Sequence, residues 1–280
     1  MALQPSLVDL LRRHDRDRYL YALFAPADRR AAVIALYAFN YEIAKTREVV
    51  SEPLLGRIRL QWWRDAIDEA YEGAAAREHE VMIPLASAIR HHRLSREHFH
   101  AIIDARGLDL EDAPPASLAA LDDYCAATSG RLQRLVLEAL GVQGKDAVQA
   151  ANEVGIAYAL AGLIRAIPFH ARARRCFIPA DVAAEVGLDL VALFELKPSP
   201  ELSRAVERLV ERARRHLTSA RSRRRRLPGI ALPALLPARV ASGYLHDIDA
   251  VRGNPFDPTL AASSGRTALR LAWGALTRRY

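Results

Sequence analysis

The sequence predicts an all-α protein, and three observations lead to this fold class. The 280 residues are rich in Ala, Leu and Arg, which are good helix formers. Apolar residues recur at helical spacing over long segments. No pair of alternating Val/Ile/Thr/Tyr runs is joined by an Asn-Gly or Asp-Gly turn, so the sequence offers no β-hairpin. Because we find no repeat, linker or sharp change of composition, we predict a single domain over residues 1–280.

Capping and helix-breaking residues divide the first half of the chain into helices. The helical patterns cover residues 7–18, 26–50, 55–71, 82–92, 95–106 and 117–140. We predict Ser117 as the N-cap of the last of these helices and Gly141 as its stop. Ser129 and Gly130 predict a gentle break inside it.

In the second half, the helical patterns cover residues 145–168, 202–226, 238–252 and 261–278. The first of these helices is apolar on most sides, which is typical of a buried helix, yet it contains Arg165. A buried Arg needs a partner or an anionic ligand. Pro168 should kink the end of this helix, and Asp181 is the predicted N-cap of a short helix that follows.

Positive charge is concentrated in one predicted helix. The net charge is +7, and ten arginines lie between Arg204 and Arg226 against only Glu207 and Glu211. This stripe is either a solvated face or a surface for anionic lipid or an acidic protein. No aromatic residue lies between Leu202 and Pro228 to stack on bases, so we expect no nucleic-acid partner.

The cysteines and histidines do not form a recognisable metal or disulfide pattern. Cys125 and Cys176 are the only cysteines and neither lies in a C-x-x-C motif. Four histidines close in sequence are predicted to be surface residues without a metal, namely His91, His92, His98 and His100.

The compartment is predicted from the N-terminus and from hydropathy. The first 18 residues carry charges of both signs and no apolar core, so we expect no signal peptide. No apolar run reaches the length of a membrane span. We therefore expect a cytoplasmic protein that is either free or peripheral at the inner face of the membrane.

Four segments, taken together and in order, resemble the squalene and phytoene synthase family. They are ALYAF at 35–39, WWR at 62–64, DYC at 123–125 followed by Gly130, and LIR at 163–165 followed by RRCFIP at 174–179. The resemblance implies the all-α isoprenoid-synthase fold, with helices around a deep central cavity. In that family two facing helices each carry an aspartate motif, whose carboxylates hold Mg²⁺ and through it two prenyl diphosphates.

The positions of both aspartate motifs depart from the family pattern. In register with the flanking motifs, the first falls on Ala44, Lys45 and Glu48, and the second on Ala166 and His170. One Glu and one His beside positive charges make a poor magnesium site. We therefore predict no metal, no cofactor and no catalytic residue.

Residues 47–53 and 163–170 resemble a narrower branch, the mitochondrial complex I assembly factor 6 group and its bacterial relatives, which keep the fold and lack the aspartates. The resemblance implies a non-catalytic role in assembling respiratory complex I, with its subunits or other assembly factors as partners. The alternative is an active prenyltransferase that condenses prenyl diphosphates head to head. It would use Mg²⁺, or Arg, Lys and His side chains that bind the diphosphate directly.

The candidate cavity residues follow from these registers. A prenyl diphosphate or lipid anion would contact Tyr37, Asn40, Tyr41, Lys45, Arg47, Glu48, Tyr158, Arg165 and His170. The cations among them either line an anion-accepting cavity or are paired internally with Glu42 and Glu48. The sequence leaves both arrangements open.

Overall fold

The computed structural model describes residues 3–260, which form helices and no β-strand. The first half of the chain folds into α1 (Pro5–His14), α2 (Arg16–Leu23), α3 (Ala27–Ala44), α4 (Thr46–Val49), α5 (Pro53–Tyr71), α6 (Met82–His92), α7 (Arg96–Gly107), α8 (Leu118–Cys125) and α9 (Arg131–Ala139).

The second half adds α10 (Lys145–Arg165), α11 (Ile167–Arg172), α12 (Ala180–Val186), α13 (Leu190–Phe194), α14 (Pro200–Ser222), α15 (Leu232–Leu235) and α16 (Pro237–Ala250). The helix predicted over 261–278 lies outside the described residues. One hydrophobic cluster runs from Leu7 in α1 to Ile248 in α16.

Helix α10 lies at the centre of the packing. It contacts α14 and α16 as well as α8 and α9. It is long and apolar enough to cross a membrane, contrary to the prediction that no such run exists, and 56% of its most apolar window is buried inside the protein. The core helix of a water-soluble domain meets the same criteria, so this finding does not by itself indicate a membrane span.

A close backbone approach explains the break between α8 and α9. The two helices are joined by a π-helical turn, Ala126–Gly130, that packs against α10. A Cβ atom added at Gly155 would lie 2.6 Å from Cα of Gly130 and 2.6 Å from the carbonyl oxygen of Ser129. The predicted break at Ser129 and Gly130 is confirmed, and it takes the form of a π-turn.

Three of the local predictions about helix ends are confirmed. The Ser117 hydroxyl accepts a hydrogen bond from the Ala120 N–H at 3.2 Å, as an N-cap does. Gly141 follows α9 with a φ of +73°, in the left-handed region. Helix α10 ends at Arg165, and Pro168 lies in the first turn of α11.

Other local predictions are wrong for identifiable reasons. The segment 7–18 forms two helices, because Asp15 ends α1 and its carboxylate caps α2 through the Arg18 N–H at 3.3 Å. Asp181 is not the N-cap of α12, a position that Pro179 occupies. Its carboxylate instead accepts a hydrogen bond from the Leu118 N–H at 3.1 Å and ties α12 to the start of α8.

The prediction that all four clustered histidines lie on the surface is also wrong. His98 is buried, with Nδ1 3.1 Å from the Arg131 guanidinium. His100 is half-buried, with Nε2 2.6 Å from the Asp68 carboxylate. These contacts give both residues structural roles in the packing around α7.

Candidate functional site

A buried polar cluster lies inside the helical core. It is formed by side chains from α2, α3, α9 and α10, namely Arg18, Tyr21, Tyr37, Asn40, Gln133 and Tyr158. The Arg18 guanidinium lies 5.2 Å from the centre of the Tyr158 ring, and Tyr21 meets the same ring edge to face at 6.1 Å. Tyr37, Asn40 and Tyr158 were predicted to line a ligand cavity; Tyr37 and Asn40 are buried and Tyr158 is half-buried, and their contact with a ligand stays a prediction.

Several polar atoms of this cluster have no hydrogen-bond partner among the described residues. They are Arg18 Nε, Tyr21 OH, Tyr37 OH, Asn40 Oδ1 and both terminal atoms of Gln133. Buried polar groups of folded proteins are normally hydrogen-bonded to protein or to water. These atoms therefore leave buried hydrogen-bonding capacity that the described residues do not fill.

An ion pair holds Arg18 in this interior. Its Nη1 lies 2.6 Å from Oδ2 of Asp15, and both side chains are largely buried. Burial alone would lower the pKa of Arg18, but Asp15 and the neighbouring tyrosines raise it above its ordinary value. Arg18 is thus a permanent cation, neutralised by a carboxylate one helical turn earlier.

A cleft opens at the start of α2, beside the end of α10. It has a volume of about 230 Å³ and is lined by His14, Asp15, Arg16, Asp17, Leu20, Arg165 and Tyr244. The Arg165 guanidinium lies 3.9 Å from the centre of the Tyr244 ring, and the Tyr244 hydroxyl donates a hydrogen bond to Asp17. Burial raises the pKa of Asp17, and the hydrogen bond from Tyr244 opposes this rise.

The expectation that α10 buries Arg165 is wrong. Arg165 is exposed because it is the last residue of α10, where the helix reaches the rim of the cleft. Its guanidinium makes a cation–π contact with the Tyr244 ring, and its charge opposes the rise in the pKa of the nearby Asp17.

The C-terminal end of α3 is tied by ion pairs. Glu42 is buried and accepts from Lys45 Nζ at 2.6 Å and from Arg59 Nη2 at 2.7 Å. The Lys45 ammonium also lies 4.8 Å from the centre of the Tyr41 ring, which stacks on His14 at 5.2 Å. For Lys45, internal pairing is therefore the arrangement found, and Tyr41 lies beside it.

The remaining three candidates do not join the cleft. Arg47 is half-buried in α4, its Nε has no hydrogen-bond partner within residues 3–260, and Glu48 beside it is exposed. His170 packs its ring 4.6 Å from Phe177 and lines a separate void of about 10 Å³. Burial, aided by the nearby Arg175 charge, lowers the pKa of His170 to about 4, so its imidazole is neutral at pH 7.

Every carboxylate on α3 and α10 is paired with a cation. The pairs are Asp28 with Arg29, Glu42 with Lys45 and Arg59, Asp146 with Arg223 and Arg226, and Glu153 with His216. Within the part of the chain that the structure describes, no group of three or more His, Cys, Asp or Glu side chains could hold a metal ion.

The arginine stripe predicted on α14 and the turn after it is largely neutralised. Within residues 3–260, at least six of its ten arginines form ion pairs, namely Arg204, Arg208, Arg212, Arg214, Arg223 and Arg226. Most of their carboxylate partners come from other elements of the fold. The free charge on this face is therefore much smaller than the sequence count, and its binding to an anionic surface stays a prediction.

Asp15, Arg18 and Gln133 were not among the site residues predicted from the sequence. The run of charged residues around Asp15 looks like a solvated turn. A usable signal was present, since Asp15 and Arg18 have i, i+3 spacing between the buried Leu11 and Tyr21. Gln133 carries no such signal, because only the packing of α9 shows that it faces the interior.

Comparison with known proteins adds three similarities. Residues 11–273 match the family described as squalene/phytoene synthase. The chain is 32% identical, over 98% of its length and 82% of the relative's, to the Bos taurus protein named NADH dehydrogenase (ubiquinone) complex I, assembly factor 6. It is 27% identical to a presqualene diphosphate synthase of Rhodopseudomonas palustris, over 70% of this chain and 69% of that one.

The fold is similar to that of a solved squalene synthase, HpnC from Alicyclobacillus acidocaldarius. The TM-score is 0.77 at 20% sequence identity, over 89% of this chain and 95% of that one. This likeness confirms the predicted all-α isoprenoid-synthase fold.

Proposed function

The chain belongs to the squalene/phytoene synthase family, and on this premise we propose that it is a non-catalytic assembly factor for respiratory complex I. The similarity to complex I assembly factor 6 over nearly the full chain is the observation that carries this proposal. Its partners would be subunits of the complex or other assembly factors. We propose that it acts on the cytoplasmic side, at the inner face of the membrane.

The ion pairs on α3 and α10 support a function without catalysis. Magnesium in proteins takes several oxygen ligands, usually from carboxylates and substrate phosphates. Here Glu42 is already bound by Lys45 and Arg59, and Glu153 by His216. These residues do not fit a magnesium ion, so we propose that the protein uses no metal cofactor and carries out no prenyl transfer.

The candidate ligand of the cavity, a prenyl diphosphate or a lipid anion, stays a prediction. Arg16 and Arg165 at the cleft would attract an anion, whereas Asp15 and Asp17 on the same wall would oppose it. The cleft volume of about 230 Å³ is also below the range of roughly 300–1,000 Å³ that is typical of ligand pockets. The cleft therefore supports a role through contact with partner proteins better than a role through ligand binding.

Deletion of the gene in the organism that encodes this chain tests the proposal. We expect native gels stained for NADH dehydrogenase activity to lose the assembled complex, while succinate dehydrogenase on the same gel and the isoprenoid profile stay unchanged. Complementation with the intact gene should restore the band. A normal NADH dehydrogenase band together with loss of an isoprenoid product would contradict the proposal and favour the prenyltransferase.

A test with purified protein separates the two functions directly. We expect no pyrophosphate release from farnesyl or geranylgeranyl diphosphate, with or without Mg²⁺. Release that is lost in the Arg165→Ala variant would establish catalysis and overturn the non-catalytic assignment.

A further inference from the structure

The segment that follows α10 combines positive charge with a lack of acidic residues. Residues 165–175 contain Arg165, Arg172, Arg174 and Arg175, and no Asp or Glu occurs anywhere between 154 and 180. The first three of these arginines are exposed and Arg175 is half-buried. This charge is local, and no carboxylate of the segment can neutralise it.

None of these four arginines forms an ion pair with a carboxylate of residues 3–260. Arg165 lies over the Tyr244 ring, Arg174 lies 5.4 Å from the centre of the Phe194 ring, and Arg175 donates to the Asp109 carbonyl oxygen at 2.7 Å. Arg172 is exposed, without a hydrogen bond or ion pair to the described residues. In contrast to the stripe on α14, the positive charge here is retained at the surface.

Large apolar side chains protrude beside these cations. Phe169 of α11 is 56% exposed, and on the adjoining α13 Val191 is 63% and Leu190 39% exposed. The void beneath them, lined by Ile167 and His170 among others, has a volume of only about 10 Å³. The surface thus presents projecting apolar groups and offers no pocket for a partner's side chain.

We propose that the α11 surface, formed by Phe169 and Arg172 of α11 with Leu190 and Val191 of the adjoining α13, binds the face of an anionic phospholipid bilayer. Peripheral membrane segments insert Phe and Leu side chains into the boundary between headgroups and acyl chains, while Arg and Lys contact anionic headgroups. A fluid bilayer accepts protruding side chains without a matching pocket. A specific protein interface, in contrast, usually centres on side chains that fill pockets.

This inference deepens the proposed location at the inner face of the membrane and rests on it, by naming the surface that contacts the lipid. Because the test uses the purified chain and vesicles, it can fail while the assembly function holds. It also differs from the earlier prediction about the stripe between Arg204 and Arg226. Arg172 and Arg174 form no ion pair with a carboxylate of residues 3–260, and the exposed Phe169 lies close to them in sequence. The stripe on α14 has arginines mostly held in ion pairs.

Vesicle co-sedimentation of the full chain tests the proposal. The probes are vesicles of phosphatidylcholine with and without phosphatidylglycerol, at low and at high salt. We expect binding only to the anionic vesicles, weakened by salt. Arg172→Glu should lower the partition coefficient by roughly thirtyfold, since each Arg near an anionic surface contributes about 1 kcal/mol and the new carboxylate is repelled. Phe169→Ser should lower it by roughly tenfold.

Two matched variants control for general loss of charge or of apolar surface. Arg215→Glu reverses an exposed charge on α14, and Ile83→Ser removes a side chain of α6 that is 46% exposed. Both should bind vesicles like the unaltered chain. Circular dichroism and urea midpoints of all four variants verify that each one folds.

Three results would overturn the proposal. The first is no sedimentation with anionic vesicles at low salt. The second is a loss of binding in Arg215→Glu that equals the loss in Arg172→Glu. The third is binding to polyglutamate that depends on Arg172 without any vesicle binding, which would indicate an acidic protein as the partner.

Discussion

Replacing Gly155 by Ala tests the packing of the central helix most directly. A Cβ atom at this position would lie 2.6 Å from Cα and 2.7 Å from the amide nitrogen of Gly130, on the π-turn that joins α8 to α9. Real Cβ contacts are essentially never shorter than 3.0 Å. Because the atoms in contact belong to the backbone, no rotamer change can relieve the clash, and α10 must move away from the turn.

Gly162→Ala is a matched control in the same helix. No heavy atom lies within 4 Å of a Cβ atom built at Gly162. Ala is better than Gly by about 1 kcal/mol in a helix interior, so this variant should gain roughly that amount. Gly155→Ala has the same intrinsic gain, but overpacking costs about 1–3 kcal/mol in well-packed cores, and a clash between backbone atoms lies at the upper end or beyond.

The two substitutions should therefore change the free energy of unfolding in opposite directions. We expect the free energy of unfolding to rise by up to about 1 kcal/mol for Gly162→Ala and to fall by about 1–2 kcal/mol for Gly155→Ala. Urea denaturation followed by circular dichroism, with a common m-value, measures both. Equal stability of the two variants would refute the close approach of α10 to the π-turn.

Three further predictions concern buried ionisable side chains. Asp15→Asn keeps an N-cap acceptor but leaves the Arg18 cation unpaired, so it should destabilise the protein by about 3 kcal/mol, and the double variant Asp15→Asn/Arg18→Met should recover most of this loss in urea denaturation. Burial lowers the pKa of His216, but the ion pair of Nε2 with Asp122 and the hydrogen bond of Nδ1 with Glu153 outweigh it and raise the pKa to about 9. The stabilising contribution of His216, on the order of 3 kcal/mol, is complete below pH 6.5 and lost as the pH rises through 9, and His216→Gln should abolish this dependence of the urea midpoint. The pKa of His170 is shifted in the opposite direction, to about 4. Its contribution to stability is therefore present above pH 6.5 and lost as the pH falls through 4. His170→Leu should flatten this acid limb of the plot of urea midpoint against pH.

Much of the helical architecture could be predicted from sequence, because its signals are local. The segment predicted over residues 82–92 coincides with α6. Ser117 caps the start of α8 with its hydroxyl, and Gly141 follows α9 in a left-handed conformation that glycine adopts easily. The prediction failed at Asp15, where a single residue ends one helix and begins the next. The spacing of apolar residues does not reveal such a break, because buried residues continue on both sides of Asp15.

The candidate site was less predictable, because its chemistry depends on contacts between distant segments. Tyr37, Asn40 and Tyr158 were predicted to line a cavity; Tyr37 and Asn40 are buried, and whether any of the three contacts a ligand stays a prediction. Arg18 could not be identified from the sequence, since its burial depends on how α2 packs against α3 and α10. His170 was grouped with Arg165 from the register with the second family motif, yet α10 ends at Arg165 and the His170 ring packs against Phe177.

The distribution of charge shows why counting residues misidentifies an electrostatic surface. Arg212 meets Asp122 from 90 positions away, and Arg226 meets Asp146 from 80 positions away, so the most basic stretch of the sequence is largely neutralised by folding. The segment 165–175 holds fewer arginines, but Arg172 and Arg174 form no ion pair with a carboxylate of residues 3–260, and their charge lies close in sequence to the exposed Phe169. Attraction to an anionic bilayer depends on unpaired charge within a Debye length of the surface. The short helix α11 is therefore better suited to this attraction than the long, arginine-rich α14.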